Sequence, residues 1–400
     1  MKNFKNLLVA STALLTASFV SAQAWTQTSA PVTNFFWTSV ASSADGSQIV
    51  AAANISDYPY NGPIYNSADS GVTWISNAFS PKPWQAIASS ADGITWIATA
   101  NLVVYTSTNS GVTWKTSLLA INCSGVASSA DGSKLAVAAK NSIFTSTNSG
   151  NTWVSNNVPN TWFFGVSLAC SADGNKLAAG DSGGSIYTSA DGGGTWTSNS
   201  LTKNKQLFVT SSADGNNLAA AAGGRNLANG LIYISTNSGA TWMTSSAPSL
   251  MWVSIASSAD GSKLIAAAAP PNIISSNMIF NSSDFGFTWT SNNVPAPALG
   301  WSCVASSADG NKLVAGSVYG GIWTRQTTPE PRLDIASLSN SFTVSWTVPS
   351  TNFVLQQNLD LTTPNWTDVT DAPALNLTNL QDEVTLPMPA GSGFYRLKTP

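Results

Sequence analysis

Side chains able to act as general acids or bases are scarce in this sequence of 400 residues. Histidine, the commonest general base in enzymes, does not occur. The segment 25–328 contains twelve aspartates and no glutamate, and ten of these aspartates recur in two repeated turn motifs. The other two, Asp57 and Asp181, fall in the first and fourth repeat units, which are not neighbours, so we expect them to lie far apart. A glycosidase needs two carboxylates within about 5 to 9.5 Å of each other. We therefore expect no catalytic pair.

Nucleophile and metal-binding patterns are equally rare. The three cysteines, Cys123, Cys170 and Cys303, are odd in number and have no paired spacing. We therefore predict three free, buried thiols and no zinc site. No G-x-S-x-G motif occurs, and the glycine-rich stretch "DGGGTW" at 191–196 belongs to a turn between strands rather than to a phosphate-binding loop. The sequence predicts no catalytic residue, no metal and no cofactor.

The motif S-A-D-G marks a repeat that runs through most of the chain. Its aspartate recurs seven times, as Asp45, Asp92, Asp131, Asp173, Asp214, Asp260 and Asp309. The mean spacing of about 44 residues matches one four-stranded propeller blade. In each unit a strand precedes the motif, glycine takes the left-handed corner of a hairpin turn, and a second strand follows. The repeat predicts an all-β fold, a seven-bladed β-propeller with four-stranded blades.

A second motif, S-x-[DN]-x-G-x-T-W, occurs six times in register with the first. Its third position is occupied by Asp69, Asn109, Asn148, Asp191, Asn237 and Asp284. An Asp or Asn side chain there accepts backbone N–H groups inside a tight turn. The glycine takes a positive-φ corner, and the tryptophan covers the turn with a large apolar ring. We interpret these residues as structural rather than catalytic.

The second motif resembles the Asp-box, or BNR repeat, of sialidase-like propellers, and the resemblance covers nearly all of the segment 25–328. Sialidases hold the substrate carboxylate with three arginines and use a Tyr–Glu pair with an aspartate as acid and base. The only arginines in this segment are Arg225 and Arg325, so an arginine triad cannot form. The segment also lacks a glutamate for the Tyr–Glu pair, since both glutamates of the chain, Glu330 and Glu383, lie beyond it. The arginine patch of photosystem assembly-factor-like propellers, which share the repeat, is missing too. The resemblance implies the scaffold and not the active site.

The seventh repeat unit lacks a copy of the second motif. The mature N-terminus supplies a substitute, because "AWTQTSAP" at 24–31 resembles "TWTSNNVP" at 288–295, with Trp25 in the position of the motif tryptophan. We predict that residues 25–29 form the outer strand of the last blade and close the ring of the propeller, 25–328. Closure of a ring leaves only short, protected strand edges.

The repeat ends at residue 328, and a linker at 329–332 follows it. The last segment, 333–400, contains short alternating strands separated by Pro, Asn and Gly turns. One of its strands places four apolar side chains on one face, those of Phe342, Val344, Trp346 and Val348. We predict a small β-sandwich, similar to the fibronectin type III or immunoglobulin-like modules that end many exported bacterial proteins.

Aromatic side chains are the remaining candidates for ligand binding. The position eight residues before each S-A-D-G aspartate is occupied by Trp37, Trp84, Cys123, Gly165, Gln206, Trp252 and Trp301. The four tryptophans fall in contiguous blades of a closed ring, and the loop after the first of them carries Tyr58 and Tyr60. We predict that these six rings border a groove that stacks on a glycan or a neutral polymer. The alternative is that the tryptophans wedge between neighbouring blades.

The first 24 residues have the features of a secretory signal peptide. A basic start at Lys2 and Lys5 precedes an uncharged apolar run, 7–20, and a small-x-small cleavage signal. We predict cleavage between Ala24 and Trp25, which removes two lysines and takes the net charge from −3 to −5. The mature chain is predicted to be secreted, periplasmic or attached to the cell surface.

Three functions remain open from the sequence. The favoured one is an exported, non-catalytic binding or adhesion module for a surface glycan or another exported protein. The alternatives are a glycoside hydrolase or lyase of the sialidase-like propeller type and a passive structural protein of the cell surface. Only 9% of the residues are charged, so no basic face for nucleic acid is expected. No other apolar run reaches the ~20 residues that span a bilayer, and we expect a monomer.

Overall fold

The structure is a computed structural model, and it describes residues 24–32, 35–55, 58, 60–119, 123–139, 142–158, 165–223, 229–269, 278–292, 294, 300–326, 333–338, 340–347, 354–360, 362–363, 365–376, 381–388 and 393–398. The predicted signal peptide up to residue 23, the linker 329–332, Asp57, Arg225 and Val348 lie outside these residues. All regular elements within them are β-strands, which confirms the all-β prediction. The described part of the chain contains no helix long and apolar enough to cross a membrane.

Strands β1 to β28 precede the linker. They are β1 Thr26–Gln27, β2 Phe35–Ser42, β3 Ile49–Ile55, β4 Ile64–Ser67, β5 Ile75–Ser76, β6 Trp84–Ser89, β7 Trp96–Ala100, β8 Val103–Ser107, β9 Lys115–Leu119, β10 Gly125–Ser128, β11 Leu135–Ala139, β12 Ser142–Ser146, β13 Val154–Asn157, β14 Ser167–Cys170, β15 Leu177–Gly180, β16 Ser185–Ser189, β17 Thr197–Ser200, β18 Gln206–Ser211, β19 Leu218–Gly223, β20 Ile232–Ser235, β21 Met243–Thr244, β22 Met251–Ser257, β23 Leu264–Ala269, β24 Met278–Ser282, β25 Thr290–Asn292, β26 Trp301–Ser306, β27 Lys312–Ser317 and β28 Ile322–Gln326.

Strands β29 to β35 follow the linker. They are β29 Asp334–Ser337, β30 Ser341–Thr347, β31 Val354–Asn358, β32 Thr367–Asp368, β33 Ala374–Asn376, β34 Gln381–Pro387 and β35 Phe394–Lys398.

The first 28 strands form antiparallel groups of four. Strands β2–β25 give six such groups in chain order, which we number sheets 1 to 6, and one parallel bridge between Gly223 and Trp252 joins sheets 5 and 6. Sheet 7 consists of β26, β27, β28 and, as its fourth strand, β1. The S-A-D-G turns connect the first two strands of each sheet at one end, the turn face. The connections between the second and third strands lie at the other end, the loop face.

The S-A-D-G turn is held by its own side chains, as the first copy illustrates. One carboxylate oxygen of Asp45 accepts hydrogen bonds from the Ser43 hydroxyl at 2.6 Å and from the Ser47 backbone N–H at 2.9 Å. Gly46 has a φ of +68°, and the six equivalent glycines are also left-handed. The turn therefore needs glycine at this corner, because a side chain there would be strained.

Backbone hydrogen bonds between the turns form a closed circle around the turn face. The backbone N–H of the alanine in each turn donates to the backbone carbonyl of the alanine in the next turn, at 2.7 to 2.8 Å. The alanines, in the order donor to acceptor, are Ala44, Ala91, Ala130, Ala172, Ala213, Ala259, Ala308 and again Ala44. Each turn donates one of these hydrogen bonds to one neighbouring turn and accepts one from the other, so all seven alanine N–H groups are paired.

The S-x-[DN]-x-G-x-T-W motif forms a second, outer turn. In sheet 1, Asp69 accepts a hydrogen bond from the backbone N–H of Thr73 at 2.8 Å, and Gly71 has a φ of +91°. The indole N–H of Trp74 donates to the Gly71 carbonyl at 3.0 Å. Asn takes the place of Asp in three copies and accepts the same backbone N–H, as Asn148 does from Thr152 at 2.8 Å. These contacts explain why the motif tolerates either residue.

The second strand of each sheet is buried on both faces. Strand β11 is a run of small and aliphatic residues without alternation, and all five of its residues are buried. Adjacent sheets pack on both sides of such a strand, so a polar residue has no exposed position to occupy. The small side chains, mostly alanine, allow neighbouring sheets to pack closely near the centre of the molecule.

The N-terminal strand completes sheet 7. Thr26 pairs with Thr324 and Gln27 with Trp323 in an antiparallel register. Trp25 is buried, and its ring centroid lies 6.4 Å from that of Trp301. The pairing therefore combines a short backbone ladder with the burial of one large aromatic side chain.

The last seven strands form two sheets that share one core. The first sheet has the order β29–β30–β34–β33 and the second β32–β31–β35. The shared core contains Phe342, Val344, Trp346, Leu355, Val384, Leu386 and Tyr395. Three of the four side chains that alternation placed on one face are buried in this core, and Val348 is outside the described residues.

The hairpin of β33 and β34 lies against the turn face. Leu375 packs against Ala44 and Ala308 of the alanine circle. Asp309 is buried, whereas the equivalent aspartates of sheets 2 to 6 are exposed. Burial raises the pKa of the Asp382 carboxyl, and the charge of Asp45 raises it further. The C-terminal sheets therefore cover the turn face at sheets 1 and 7.

Candidate functional site

A cavity of about 830 Å³ opens on the loop face, and we call it the funnel. The first strands of all seven sheets contribute to its wall. Near its floor lies a layer of apolar side chains at the position five residues before the S-A-D-G aspartate: Val40, Ile87, Val126, Leu168, Ile255 and Val304. None of the described residues that line the funnel carries a charge. The described part of the lining therefore offers hydrogen-bonding and apolar groups and no charged side chain that could pair with an ion.

Serine side chains join the first strands of neighbouring sheets within the funnel wall. The hydroxyl oxygen of Ser124 accepts a hydrogen bond from the backbone N–H of Val166 at 2.9 Å. The hydroxyl oxygens of Ser167 and Ser254 each accept a hydrogen bond from a backbone N–H group of the next sheet, both at 3.1 Å. These serines satisfy backbone donors that would otherwise face the funnel unpaired. Their role is to hold the wall together, and their position was not among the predicted site residues.

The four tryptophans that were expected to border a groove are buried. Trp37, Trp84, Trp252 and Trp301 are at most 2% exposed. Each packs between its own sheet and the preceding one. Thus Trp37 joins a cluster with Cys303 and Val314 of sheet 7. This burial favours the alternative of a wedge between sheets over the predicted groove, although Trp301 is also among the residues that line the funnel.

A β-bulge explains the orientation of these tryptophans. The register shifts by one residue between Trp37 and Ser39, and the same shift occurs at each of the other three tryptophans. A bulge places two residues of one strand opposite one residue of its partner and so redirects the side chains. The bulged residues Thr38, Val253 and Ser302 line the funnel, whereas the tryptophan rings pack in apolar clusters that span two sheets. The first strands of sheets 3, 4 and 5 have no such shift.

The two predicted tyrosines are exposed on the loop face. Tyr58 is 86% exposed and Tyr60 is 52% exposed. Their rings form an edge-to-face pair with centroids 5.8 Å apart. They lie in the connection between β3 and β4, on the side of the molecule where the funnel opens. The structure therefore separates the six predicted site residues into four buried wedges and two exposed rings.

The aspartates offer no paired carboxylates in the described part of the funnel. Asp181 is buried, and one of its carboxylate oxygens accepts the backbone N–H groups of Gly183 at 2.9 Å and Ser185 at 2.8 Å. This arrangement shapes the loop that carries Ser182 into the funnel wall. Asp57, the other aspartate outside the motifs, is not among the described residues. Asp181 thus positions a loop and does not face the cavity.

The aspartates of the outer turns are hydrogen-bond acceptors. The backbone N–H and the hydroxyl of Thr195 lower the pKa of Asp191 to about 2. Hydrogen bonds from Thr73 lower the pKa of Asp69 in the same way. A carboxyl group whose pKa is lowered from its ordinary value stays ionised near neutral pH and is a poor proton donor. These residues match the structural interpretation of the motif.

None of the three cysteines is in a disulfide, which confirms that part of the prediction; Cys123 and Cys303 are buried, whereas Cys170 is partly exposed. Burial raises the pKa of the thiol to about 11 for Cys123 and to about 12 for Cys170 and Cys303. Since the thiolate is the reactive form, we expect the native protein to react very slowly with a thiol reagent at pH 8. Titration after unfolding should then reveal three reactive groups. Rapid reaction of Cys123 or Cys303 in the native protein would contradict the burial described here.

Comparison with known proteins shows the fold and no closer relationship. No protein-family model matches the chain and no curated protein matches it. Among solved structures, the GH74 xyloglucanase from Xanthomonas campestris has a TM-score of 0.59 and 15% sequence identity, over 81% of this chain and 59% of the xyloglucanase. The chain thus spans less than two thirds of the length of that enzyme.

Two further solved structures resemble most of the chain. YCF48 bound to a D1 peptide has a TM-score of 0.53 and 17% identity, over 77% of this chain and 97% of YCF48. Hydrazine synthase of Kuenenia stuttgartiensis has a TM-score of 0.57 and 15% identity, over 76% of this chain and 98% of that chain. At such low identity these similarities establish architecture alone. Together with the four-stranded sheets, they show that the chain has an all-β, β-propeller fold.

Proposed function

We propose that this chain is an exported, non-catalytic binding protein whose ligand enters the funnel from the loop face. The observation that carries the proposal is a cavity of about 830 Å³ whose described lining has no charged side chain. Apolar groups line its floor, and hydroxyl and amide groups, such as those of Ser182 and Gln206, lie higher in its wall. Such a lining fits a neutral chain that carries both apolar and hydrogen-bonding groups. A surface glycan and a segment of another exported protein both meet this description.

The proposed scaffold is a seven-bladed propeller, 25–328, closed by the N-terminal strand. The circle of seven alanine hydrogen bonds that returns to Ala44 supports this count. The pairing of β1 with β28 supports the closure. We assign the outer turns to the Asp-box, or BNR, repeat because the hydrogen bonds of the motif recur in each described copy.

The remaining parts of the proposal concern export and the C-terminal segment. We propose that the segment 333–400 is a fibronectin type III-like or immunoglobulin-like module, supported by its two sheets around a shared core. The mature chain, after cleavage between Ala24 and Trp25, is secreted, periplasmic or attached to the cell surface. The basic start and the apolar run of the first 24 residues support this localisation.

The similar structures support two classes of ligand and one alternative function. YCF48 has been solved with a D1 peptide, which favours a protein segment as ligand. The likeness to a GH74 xyloglucanase favours a glycan, and it also keeps a glycoside hydrolase as the alternative. Release of reducing sugar from a polysaccharide by the mature protein would support the hydrolase. Binding without any cleavage would support the binding protein.

Filling the funnel should abolish binding. We expect Ser182→Trp to weaken any ligand at least about tenfold, which corresponds to 1.4 kcal/mol, because the new ring would occupy the cavity. A glycan array and a random peptide display library, both probed with residues 25–400, would first identify the ligand. Isothermal titration calorimetry would then compare the variants.

Two controls isolate the effect of the cavity. Ser182→Ala removes the hydroxyl without adding volume, and Ser198→Trp places the same ring on the exposed outer strand of the same sheet. Ser198→Trp should bind like the wild type, and Ser182→Ala should lose at most the contribution of one hydrogen bond, which is less than the loss with Ser182→Trp. A ligand whose Kd is the same with Ser182→Trp does not occupy the funnel, and the proposal would then fail.

A further inference from the structure

A groove of about 290 Å³ lies between sheets 6 and 7, and we call it the open groove. Three of its lining residues carry hydroxyl groups and are exposed: Ser283, Thr288 and Thr290. The equivalent groove between sheets 3 and 4 has a volume of about 140 Å³, and the outer turn of sheet 4 contributes Asp191 and Gly192 to its lining. The seventh repeat unit has no copy of the motif that forms this turn, and its groove is about twice as large.

The open groove coincides with the place of the missing turn. In sheet 4, a Cβ atom added to the turn glycine, Gly193, would lie 3.0 Å from the Thr145 side chain of sheet 3 and 3.4 Å from the Leu177 side chain of its own sheet. The residues that occupy these two repeat positions in sheets 6 and 7 are Asn281 and Leu313, and both line the open groove. The groove therefore presents the two positions against which a turn glycine packs.

A buried indole lacks the carbonyl that the turn would supply. In five of the six copies of the motif, the tryptophan indole N–H donates to the carbonyl of the turn glycine, as Trp196 does to Gly193 at 2.9 Å. Trp25 takes this place in sheet 7 and is only 4% exposed, yet its indole N–H has no hydrogen-bond partner among the described residues. A buried donor without an acceptor costs free energy. A carbonyl in the position of the missing glycine would remove that cost.

A lysine in the open groove has the position from which other lysines bind an outer turn. The ammonium of Lys312 in sheet 7 donates to the hydroxyl of Ser70, in the outer turn of sheet 1, at 3.0 Å. The same contact recurs between sheets 4 and 5. Lys263 is the equivalent residue of sheet 6, and its ammonium donates to the Asp309 carbonyl and to the side-chain oxygen of Asn311, both at 2.9 Å. An ammonium group has three donors, so Lys263 can also donate to a bound turn.

An arginine replaces the first serine of the motif in sheet 7. In sheet 1 the hydroxyl of this serine, Ser67, donates to the carboxylate of Asp69 at 2.8 Å. Arg325 has the same register in its sheet, lines the open groove, and donates through Nη1 to the side-chain oxygen of Asn292 at 2.9 Å. A guanidinium group is well suited to bind a carboxylate. The only charged residues in the described lining of the groove are Lys263 and Arg325, so the groove favours an acidic turn.

We propose that the open groove binds a tight Asp-x-Gly turn of a partner protein, and so receives from outside the turn that sheet 7 lacks. The glycine carbonyl of the bound turn accepts the indole N–H of Trp25. The aspartate carboxylate faces Arg325, and an oxygen of the residue between them accepts a hydrogen bond from Lys263. This site is separate from the funnel, and it does not depend on the function proposed for the funnel.

The test uses a turn of known conformation as the ligand. A cyclic peptide of residues 67–73, which form the outer turn of sheet 1, would be titrated into the mature chain by calorimetry and by NMR of the indole N–H groups. We expect a Kd below about 1 mM and a downfield shift of the Trp25 resonance, which Trp25→Phe identifies. Lys263→Met and Arg325→Ser should each raise the Kd about fivefold or more. Lys134→Met is the matched control, because the outer turn of sheet 4 already contributes to its groove, and this variant should bind like the wild type.

A second peptide separates charge from shape. Asparagine supports the same turn, as Asn148 does, so a peptide with Asp69→Asn keeps the conformation and loses the charge. It should bind the wild type about fivefold more weakly than the aspartate peptide does. The two peptides should bind Arg325→Ser equally, because the charge then has lost its partner. Equal affinity of both peptides for the wild type would contradict the pairing with Arg325.

The chain's own segment 327–332 is the competing occupant of the open groove. It follows β28 directly and lies outside the described residues. A variant with this segment replaced by alternating glycine and serine would be titrated in parallel. Peptide binding to this variant alone would assign the groove to the chain's own segment and overturn the proposal. The proposal is equally overturned by a peptide that does not bind, by an unchanged Kd in both Lys263→Met and Arg325→Ser, or by binding that leaves the Trp25 resonance in place.

Discussion

Alanine in place of Trp37 or Trp252 is expected to lower the free energy of unfolding by about 3 to 5 kcal/mol. Both rings are fully buried between adjacent sheets. Trp252 packs edge-to-face on Phe280 with centroids 5.4 Å apart, and Trp37 packs in the same way on Tyr65 at 5.6 Å. Truncation leaves a large cavity that the flanking strands cannot fill, because both faces of these sheets are already packed. Thermal and denaturant unfolding would measure the loss.

A control at an exposed ring separates a wedge from a binding residue. Tyr58→Ala removes an aromatic side chain that is 86% exposed, so its effect on the free energy of unfolding should stay within about 0.5 kcal/mol. The two classes of aromatic residue should thus differ several-fold in their effect on stability. An unchanged Tm for Trp252→Ala, combined with weaker ligand binding, would show that this ring acts in recognition and not as a wedge.

The turns were predictable because their geometry depends on a few adjacent residues. The glycine of S-A-D-G and the glycine of the outer turn are left-handed in every described copy, as expected from the residue type. Seven copies at similar spacing then predict sheets of four strands, since each copy marks the same place in its unit. The repeated turn motifs were therefore sufficient to predict the four-stranded sheets.

The tryptophan orientations were not predictable, although their register was. Counting back eight residues from the turn aspartate found all four, and each lies at a bulge. A bulge adds one residue to one strand and reverses which face the following side chains occupy. The sequence pattern does not reveal that extra residue, because its partner strand is elsewhere in the chain. The spacing therefore identified strand positions that contribute to the wall of the funnel, but not which side chains face the cavity.

Contacts between distant segments were also beyond the sequence. Nothing in the motif S-A-D-G shows that its alanines form a circle of hydrogen bonds, or that Leu375 packs against two of them. Such features depend on the assembled sheets and not on local spacing.

Removal of residues 25–30 from the mature protein is expected to lower the Tm by about 10 °C or more. The truncation deletes the pairs of Thr26 and Gln27 with β28, and it removes the buried ring of Trp25. It also removes the hydrogen bond from the Thr28 N–H to the Ile322 carbonyl at 2.9 Å. Strand β28 would then present an unpaired edge, which favours aggregation. Differential scanning calorimetry and light scattering would measure both effects.

Addition of the missing strand as a peptide provides the decisive control. A synthetic peptide of residues 24–31 should bind the exposed edge of β28 by strand addition and raise the Tm of the truncated protein in proportion to its occupancy. A peptide of the same composition in scrambled order should not, because it cannot place a tryptophan against Trp301 while pairing with Thr324. A truncated protein that melts at the temperature of the intact chain would show that sheet 7 is stable with three strands. The ring would then not depend on the N-terminal strand for its closure.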